Sequence, residues 1–249
     1  MIRFFLSLFC TVSFSWALVV GTYNVENLFD DIYQGTEYES YIPENTQGWN
    51  KEMAAKKLAN ISEAILKIDA DILALQEVEN EQILIKLAKK TGYLYHSFAS
   101  SLNAATGVGI LSRHPILTSE TIKSNFRPAL YVKIEVEKKP LEFIVVHWPS
   151  LKNPNTKREE AARDIAPFMK NIDEGIVLGD FNTPFDLKNT ISRFWGPIEE
   201  TKGWFDPWVG IKDRWSHSFF GDKKVLDRML LSEKLFDGEG FDYVCGSFK

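Results

Sequence analysis

Cysteine is nearly missing from this chain: its 249 residues hold two, Cys10 and Cys245. That excludes a disulfide-stapled scaffold, thiolate zinc sites and a cysteine nucleophile with a redox partner. Histidine is scarce, with four residues. A surplus of positive charge is also lacking. The net charge of −5 argues against stoichiometric coating of nucleic acid, which needs a basic face. It leaves room for an enzyme acting on a phosphodiester, because a bound metal ion can supply the missing positive charge. Gly 15 and Pro 10 are too few for a long low-complexity linker or a collagen-like repeat. Beyond the first seventeen residues no stretch is long and apolar enough to cross a bilayer. What remains is ordinary globular composition, 45% hydrophobic and 25% charged, in a length that suits one large domain.

The first seventeen residues have the layout of a secretory signal peptide. Arg3 is their only charge, Phe4 to Phe14 is apolar apart from small polar residues, and Ser15-Trp16-Ala17 places small residues at −3 and −1 of a cleavage site. Phe9 before Cys10 stands where a lipoprotein signal needs a small residue. The expectation is export to the periplasm or medium, with residues 18–249 forming the folded domain and Cys245 its single thiol.

Short β-like runs then alternate with helical patterns. Leu18 to Tyr23 and Asp71 to Leu75 read as buried strands. Between them Ala54, Leu58, Ile61, Ile65 and Ile68 line one helix face. Asn80 caps a short helix that stops at Gly92. Tyr93 to Ala99 and Val108 to Ser112 read as paired strands. Leu130–Val136 and Leu141–Val146 read as a hairpin turning at Lys138-Lys139-Pro140. Thr156 with Glu159 predicts a capping box opening a helix that bends or ends near Pro167. Ile176–Leu178 and Val225–Leu231 complete the strands. Strands mixed with helices and hairpins predict two packed sheets with helices outside, an α/β sandwich.

Several of these strands end in polar residues that core packing does not require: Asn24 and Glu26, Gln76-Glu77, His147, Asp180 and Asn182, and Asp227. Singly, each has a bland alternative as a turn, a cap or a surface group. Jointly, carboxylates, amides and one imidazole at strand ends suit Mg²⁺ and phosphate, with no soft ligands for zinc.

The strings Thr22-Tyr-Asn-Val-Glu-Asn-Leu-Phe-Asp30, Leu75-Gln-Glu-Val78, Phe126-Arg-Pro128, Val146-His-Trp-Pro-Ser150, Leu178-Gly-Asp-Phe-Asn182 and Leu226-Asp-Arg-Met-Leu-Leu-Ser232 follow in that order. On them the sequence resembles the endonuclease/exonuclease/phosphatase family, the deoxyribonuclease-I-like phosphodiesterases. The resemblance implies a four-layer α/β sandwich, two packed mixed β-sheets flanked by helices. It implies Glu77 as the principal metal ligand, with Asn24 and Glu26 helping to hold metal and phosphate. It implies Asp180 positioning or deprotonating the attacking water, Asn182 bonding the phosphoryl oxygens, His147 contacting the phosphate as an acid, and Arg127 binding phosphate. It implies Mg²⁺, with Mn²⁺ or Ca²⁺ as substitutes; with the signal-peptide layout, the expectation is an exported, monomeric nuclease acting on DNA. A sphingomyelinase-like phospholipid phosphodiesterase is the alternative within the family.

One feature departs from the family pattern. The family closes on a strand carrying Ser-Asp-His, whose histidine is oriented by the residue matching Asp227. No Asp-His follows Asp227 before Lys249. The expectation is a missing last strand, and a second class of reading is an inactive protein that binds only phosphate or metal. His217 is the first candidate to replace that histidine. Trp195, Trp204, Trp208 and Trp215, with Phe194, Phe205, Phe219 and Phe220, form an aromatic tract. It is expected to pack on the sandwich. Base stacking and lipid docking are the alternatives.

Overall fold

Alternation of apolar side chains along each strand sorts the chain into layers. A computed structural model describes residues 17–44, 48–183 and 203–249. One sheet has four strands in the order β1-β2-β4-β3: β1 Val20–Leu28, β2 Ile72–Val78, β4 Gly107–Ser112 and β3 Tyr95–Ala99. The other has six in the order β5-β6-β7-β8-β12-β9: β5 Ile116–Ile122, β6 Ala129–Val136, β7 Lys139–His147, β8 Gly175–Asp180, β12 Asp227–Ser232 and β9 Trp204–Phe205. β10 His217–Phe219 and β11 Asp222–Lys224 form a separate hairpin.

Ile72 and Ala74 of β2 face Val132, Phe143 and Leu178 of the second sheet in a shared core. Their neighbours Leu73 and Leu75 point the other way, onto Ile61 and Ile65 of α1 (Lys51–Ile68) and Leu84 and Leu87 of α2 (Glu81–Thr91). Ile144, Val146 and Val177 likewise point outward onto Ala162 and Ile165 of α3 (Asn155–Met169). The result is the expected four-layer sandwich, helix–sheet–sheet–helix.

The caps follow the sequence. Asn50 accepts from the backbone N–H of Glu52 and Met53, Asn80 accepts from Ile83, and Gly92 closes α2 in the left-handed conformation.

Two expectations fail locally, and one strand was not foreseen. The β6–β7 turn is Glu137-Lys138, with φ of 51° and 66°, and Lys139-Pro140 already belongs to β7. Pro140 is tolerated because β8 first pairs with β7 at Glu142, so no ladder on that side needs its missing N–H. Thr156 caps nothing: α3 starts at Asn155 behind Pro154, with no side-chain cap. Arg158 ties that end down instead, donating to the carbonyls of Pro149, Ser150 and Asn153. β5 has no sequence signature because it is a sheet edge whose middle residues are exposed. The expected signal peptide, but for Ala17, lies outside the described residues, as do Phe194 and Trp195.

Candidate active site

The parallel strands β1, β2, β7 and β8 all end on one side of the sandwich, which is why their terminal polar residues meet. Irregularities in the ladders aim them. Glu26, Asn27 and Glu77 have φ of 51°, 65° and 63°, and the β1–β2 and β2–β4 registers shift there. Such bulges turn a side chain out of the pleat. Gly179 has φ of 138°, and a Cβ there would lie 2.0 Å from the Val146 carbonyl oxygen. Only glycine lets β8 approach β7 so closely just before Asp180.

Glu77, His147 and Asp180 each offer one ligand atom, all within 4.8 Å of one another. His147 Nε2 lies 3.6 Å from Glu77 Oε1 and 3.7 Å from Asp180 Oδ2. Asn24 Nδ2 bridges the same two carboxylates, at 3.1 Å from Glu77 Oε1 and 3.2 Å from Asp180 Oδ2. Arg127 Nη1 contacts His147 Nε2 and donates to the Trp148 carbonyl at 3.2 Å. Asn182 Nδ2 donates to that carbonyl at 3.0 Å, and its backbone N–H donates to Asp180 Oδ1 at 2.7 Å. Asp227 is the register partner of Asp180 in the antiparallel β8–β12 ladder.

Seven of the eight expected residues therefore converge. Glu26 does not join the carboxylate cluster: its side chain is exposed, and its backbone contacts are Asn24 Oδ1 and Lys57 Nζ. Its carboxylate is felt only at a distance, adding to the rise in the pKa of Tyr23 and Tyr41. His217 sits in the β10–β11 hairpin, outside the cluster of possible metal ligands.

Charge is crowded here. Burial, then the Asp227 charge, push Asp180 up to about 7. Burial, with Glu77 adding to it, raises Asp227 to about 6. Burial and the Arg127 guanidinium hold His147 well below the usual imidazole value, so the ring is neutral and acts as an acceptor. Asp227 Oδ1 is buried with no hydrogen-bond partner among the described residues. Clustered carboxylates that resist ionisation, one with an unsatisfied oxygen, are the electrostatic signature of a cation site. The oxygen-rich donor set fits a hard divalent ion.

Sequence reasoning missed the supports. Ser216 Oγ accepts the backbone N–H of both Leu226 and Asp227 at 2.9 Å, and the Trp208 indole donates to the Asp227 carbonyl at 2.9 Å. Arg228, almost fully buried, pairs with Asp206 at 3.1 Å and donates to the Thr183 carbonyl beside Asn182. An arginine next to Asp227 reads as surface charge until its burial is seen. Of the aromatic tract, Trp208 packs inward as expected, whereas Trp215, Phe219 and Phe220 are exposed.

Solved structures share this fold. The D. rerio protein TDP2 complexed with single-strand DNA product is 18% identical, with a TM-score of 0.61 over 87% of this chain and 84% of that one. Sphingomyelinase C from Streptomyces griseocarneus is 18% identical, with a TM-score of 0.59 over 88% and 85%. The human Nocturnin catalytic domain with bound sulfate is 20% identical, with a TM-score of 0.57 over 82% and 81%. No curated protein sequence matches the chain. Residues 19–248, which span both sheets and every strand end described above, match the sequence model of the Endonuclease/Exonuclease/phosphatase family, and the chain belongs to that family.

Proposed function

We propose that the protein is an exported, Mg²⁺-dependent phosphodiesterase whose substrate is nucleic acid, with DNA as the first candidate. The observation that carries this reading is the convergence of Glu77, His147 and Asp180 within 4.8 Å, beside Asn24, Arg127 and Asn182. Glu77 and Asp180 would hold the ion, with His147 Nε2 as the third donor in reach. When bound, the ion neutralises a non-bridging phosphate oxygen and the charge that develops there.

The chain's own residues supply the remainder. Arg127 offers a guanidinium to the phosphate and at the same time keeps His147 neutral. Asn24 fixes the spacing of Glu77 and Asp180. Asp180, ionised once the ion is held, would orient the attacking water beside it. Asn182, left-handed at φ 47°, presents its amide from the turn after β8. The solved TDP2 complex with single-strand DNA product supports nucleic acid by likeness of fold.

A phospholipid phosphodiesterase is the second reading. The exposure of Phe219 and Phe220 favours it, because aromatic rings held in water can enter a lipid interface. The test is hydrolysis of plasmid DNA, RNA and sphingomyelin by purified residues 18–249, with Mg²⁺ and with chelator. Metal-dependent cleavage of DNA or RNA is expected. Cleavage of sphingomyelin alone selects the second reading, and no cleavage of any of the three overturns the hydrolase.

A further inference from the structure

The β10–β11 hairpin holds two aromatic rings in solvent at a backbone cost. Phe219 and Asp222 are its last register pair, so the turn consists of Phe220 and Gly221. Both are left-handed, with φ of 47° and 84°. This two-residue turn normally takes Asn-Gly, because a bulky side chain is disfavoured at positive φ. Phe220 nevertheless occupies the first position and is 96% exposed, and Phe219 is 64% exposed. Their rings meet edge to face, with centroids 4.6 Å apart and planes at 84°, and Phe220 keeps nearly all of its surface in solvent beside this contact. Neither ring contributes to the core, so folding alone does not account for the pair.

The tip is tied to the active site. The Ser216 N–H donates to the Lys224 carbonyl at 2.9 Å, and Ser216 Oγ holds the N–H of Asp227. Asp227 in turn faces Asp180. Cations flank the hairpin: Lys223 Nζ sits 4.5 Å from the centre of the Trp215 ring, and Lys224 pairs with Asp222 at 2.6 Å. A lipid surface is the poorer partner. Sinking Phe220 into acyl chains would drag in the exposed Asp222 carboxylate two residues away, and that carboxylate already neutralises Lys224. An unpaired base asks only for an open aromatic face and nearby positive charge.

We propose that this hairpin is a base-stacking element, with Phe220 braced by Phe219 against an unpaired base of the substrate strand and Lys223 beside the phosphate chain. The proposal rests on the nucleic-acid reading above and adds a preference for single-stranded or frayed substrate.

The test uses two fluorescein-labelled phosphorothioate 12-mers, which resist hydrolysis: an oligothymidylate and an abasic oligomer of equal charge. Binding to residues 18–249 is followed by anisotropy with Mg²⁺. The parent should prefer the base-bearing strand. Phe220→Ala and Phe220→Asn should each weaken that complex by roughly five- to hundred-fold and leave the abasic complex unchanged. Phe220→Asn should also unfold at the same or a higher temperature than the parent, because asparagine suits the turn. Equal parent affinity for both strands, or variants that weaken neither, would overturn the proposal. So would variants that lose binding to phosphatidylserine–phosphatidylcholine vesicles but not to thymidylate, which would assign the tip to membranes. Parent hydrolysis of bis(p-nitrophenyl) phosphate is measured alongside. Base-dependent binding without hydrolysis removes the hydrolase and keeps the stacking element; hydrolysis with base-independent binding does the reverse.

Discussion

Asp180 and Asp227 face each other across the antiparallel β8–β12 ladder, two carboxylates in register at a buried strand end. Each lies within the field of Glu77, and Asp180 within that of Asp227 as well. Folding has brought like charges together in a place that water screens poorly. The molecule tolerates this by leaving both aspartates partly protonated near neutrality, at about 7 and about 6. A bound cation would relieve the repulsion, and this is the physical link between the fold and metal dependence.

Glu77 tests that link most directly. Its side chain is one-fifth exposed and reaches both His147 and Asn24. Glu77→Gln keeps the shape and removes the charge that a hard cation requires. Calorimetric titration should show Mg²⁺ affinity reduced at least ten-fold with the thermal midpoint unchanged. Equal affinity in the two proteins would remove Glu77 from the site.

The proton balance gives a second prediction. The ion binds ionised carboxylates, so it displaces the protons that Asp180 and Asp227 retain below about 7 and about 6. Mg²⁺ affinity should therefore rise from pH 5.5 and level off above pH 7.5. Asp227→Asn removes the like charge facing Asp180, so the pKa of Asp180 falls and the rise moves to lower pH. Titrations across that range in paired buffers decide it. A midpoint that stays put would mean burial alone sets Asp180.

The site was legible in the sequence because its residues lie at the ends of strands whose apolar runs are plain. Asn24, Glu77, His147, Asp180, Asn182 and Asp227 each follow or open such a run, and parallel strands must end together. Arg127 lies in a loop, and only its setting in Phe-Arg-Pro marked it. Glu26 stands outside the carboxylate cluster because a left-handed residue in a bulge breaks the alternation of the strand. Ser216, Arg158 and Arg228 left no trace, since their partners are backbone groups or distant residues that no local spacing encodes. The exposed Phe219 and Phe220 were hidden among aromatics that do pack inward, such as Trp208.

Export is a third prediction, drawn from residues 1–17. Cleavage after Ala17 would give a mature chain beginning at Leu18, and loss of Arg3 would take the net charge from −5 to −6. N-terminal sequencing of protein from the periplasm or medium should read Leu-Val-Val-Gly. Intact Met1 in a cytoplasmic fraction would rule out the leader.

A fourth prediction concerns stability and lies just behind the site, at Glu79. This side chain is 5% exposed, accepts the Asp30 N–H through Oε2 at 2.7 Å, and leaves Oε1 buried without a partner among the described residues. Burial pushes its pKa from 4.5 up to about 7, against the pull of that hydrogen bond and of Lys86. Between those two values the folded chain binds a proton that the unfolded chain has released, so stability falls as pH rises through that window and is flat above it. The full shift corresponds to about 3 kcal/mol as an upper bound. Glu79→Gln stays neutral at every pH and keeps an oxygen for the Asp30 N–H. The variant should match the parent most closely at pH 4, below both values, and exceed it by about 1–3 kcal/mol more at pH 8. Urea unfolding at pH 4, 6 and 8 measures the difference, and subtraction cancels the aspartates that both proteins share. If the two stability curves run parallel, Glu79 is ionised in the folded chain and its burial is offset by groups other than the Asp30 N–H and Lys86.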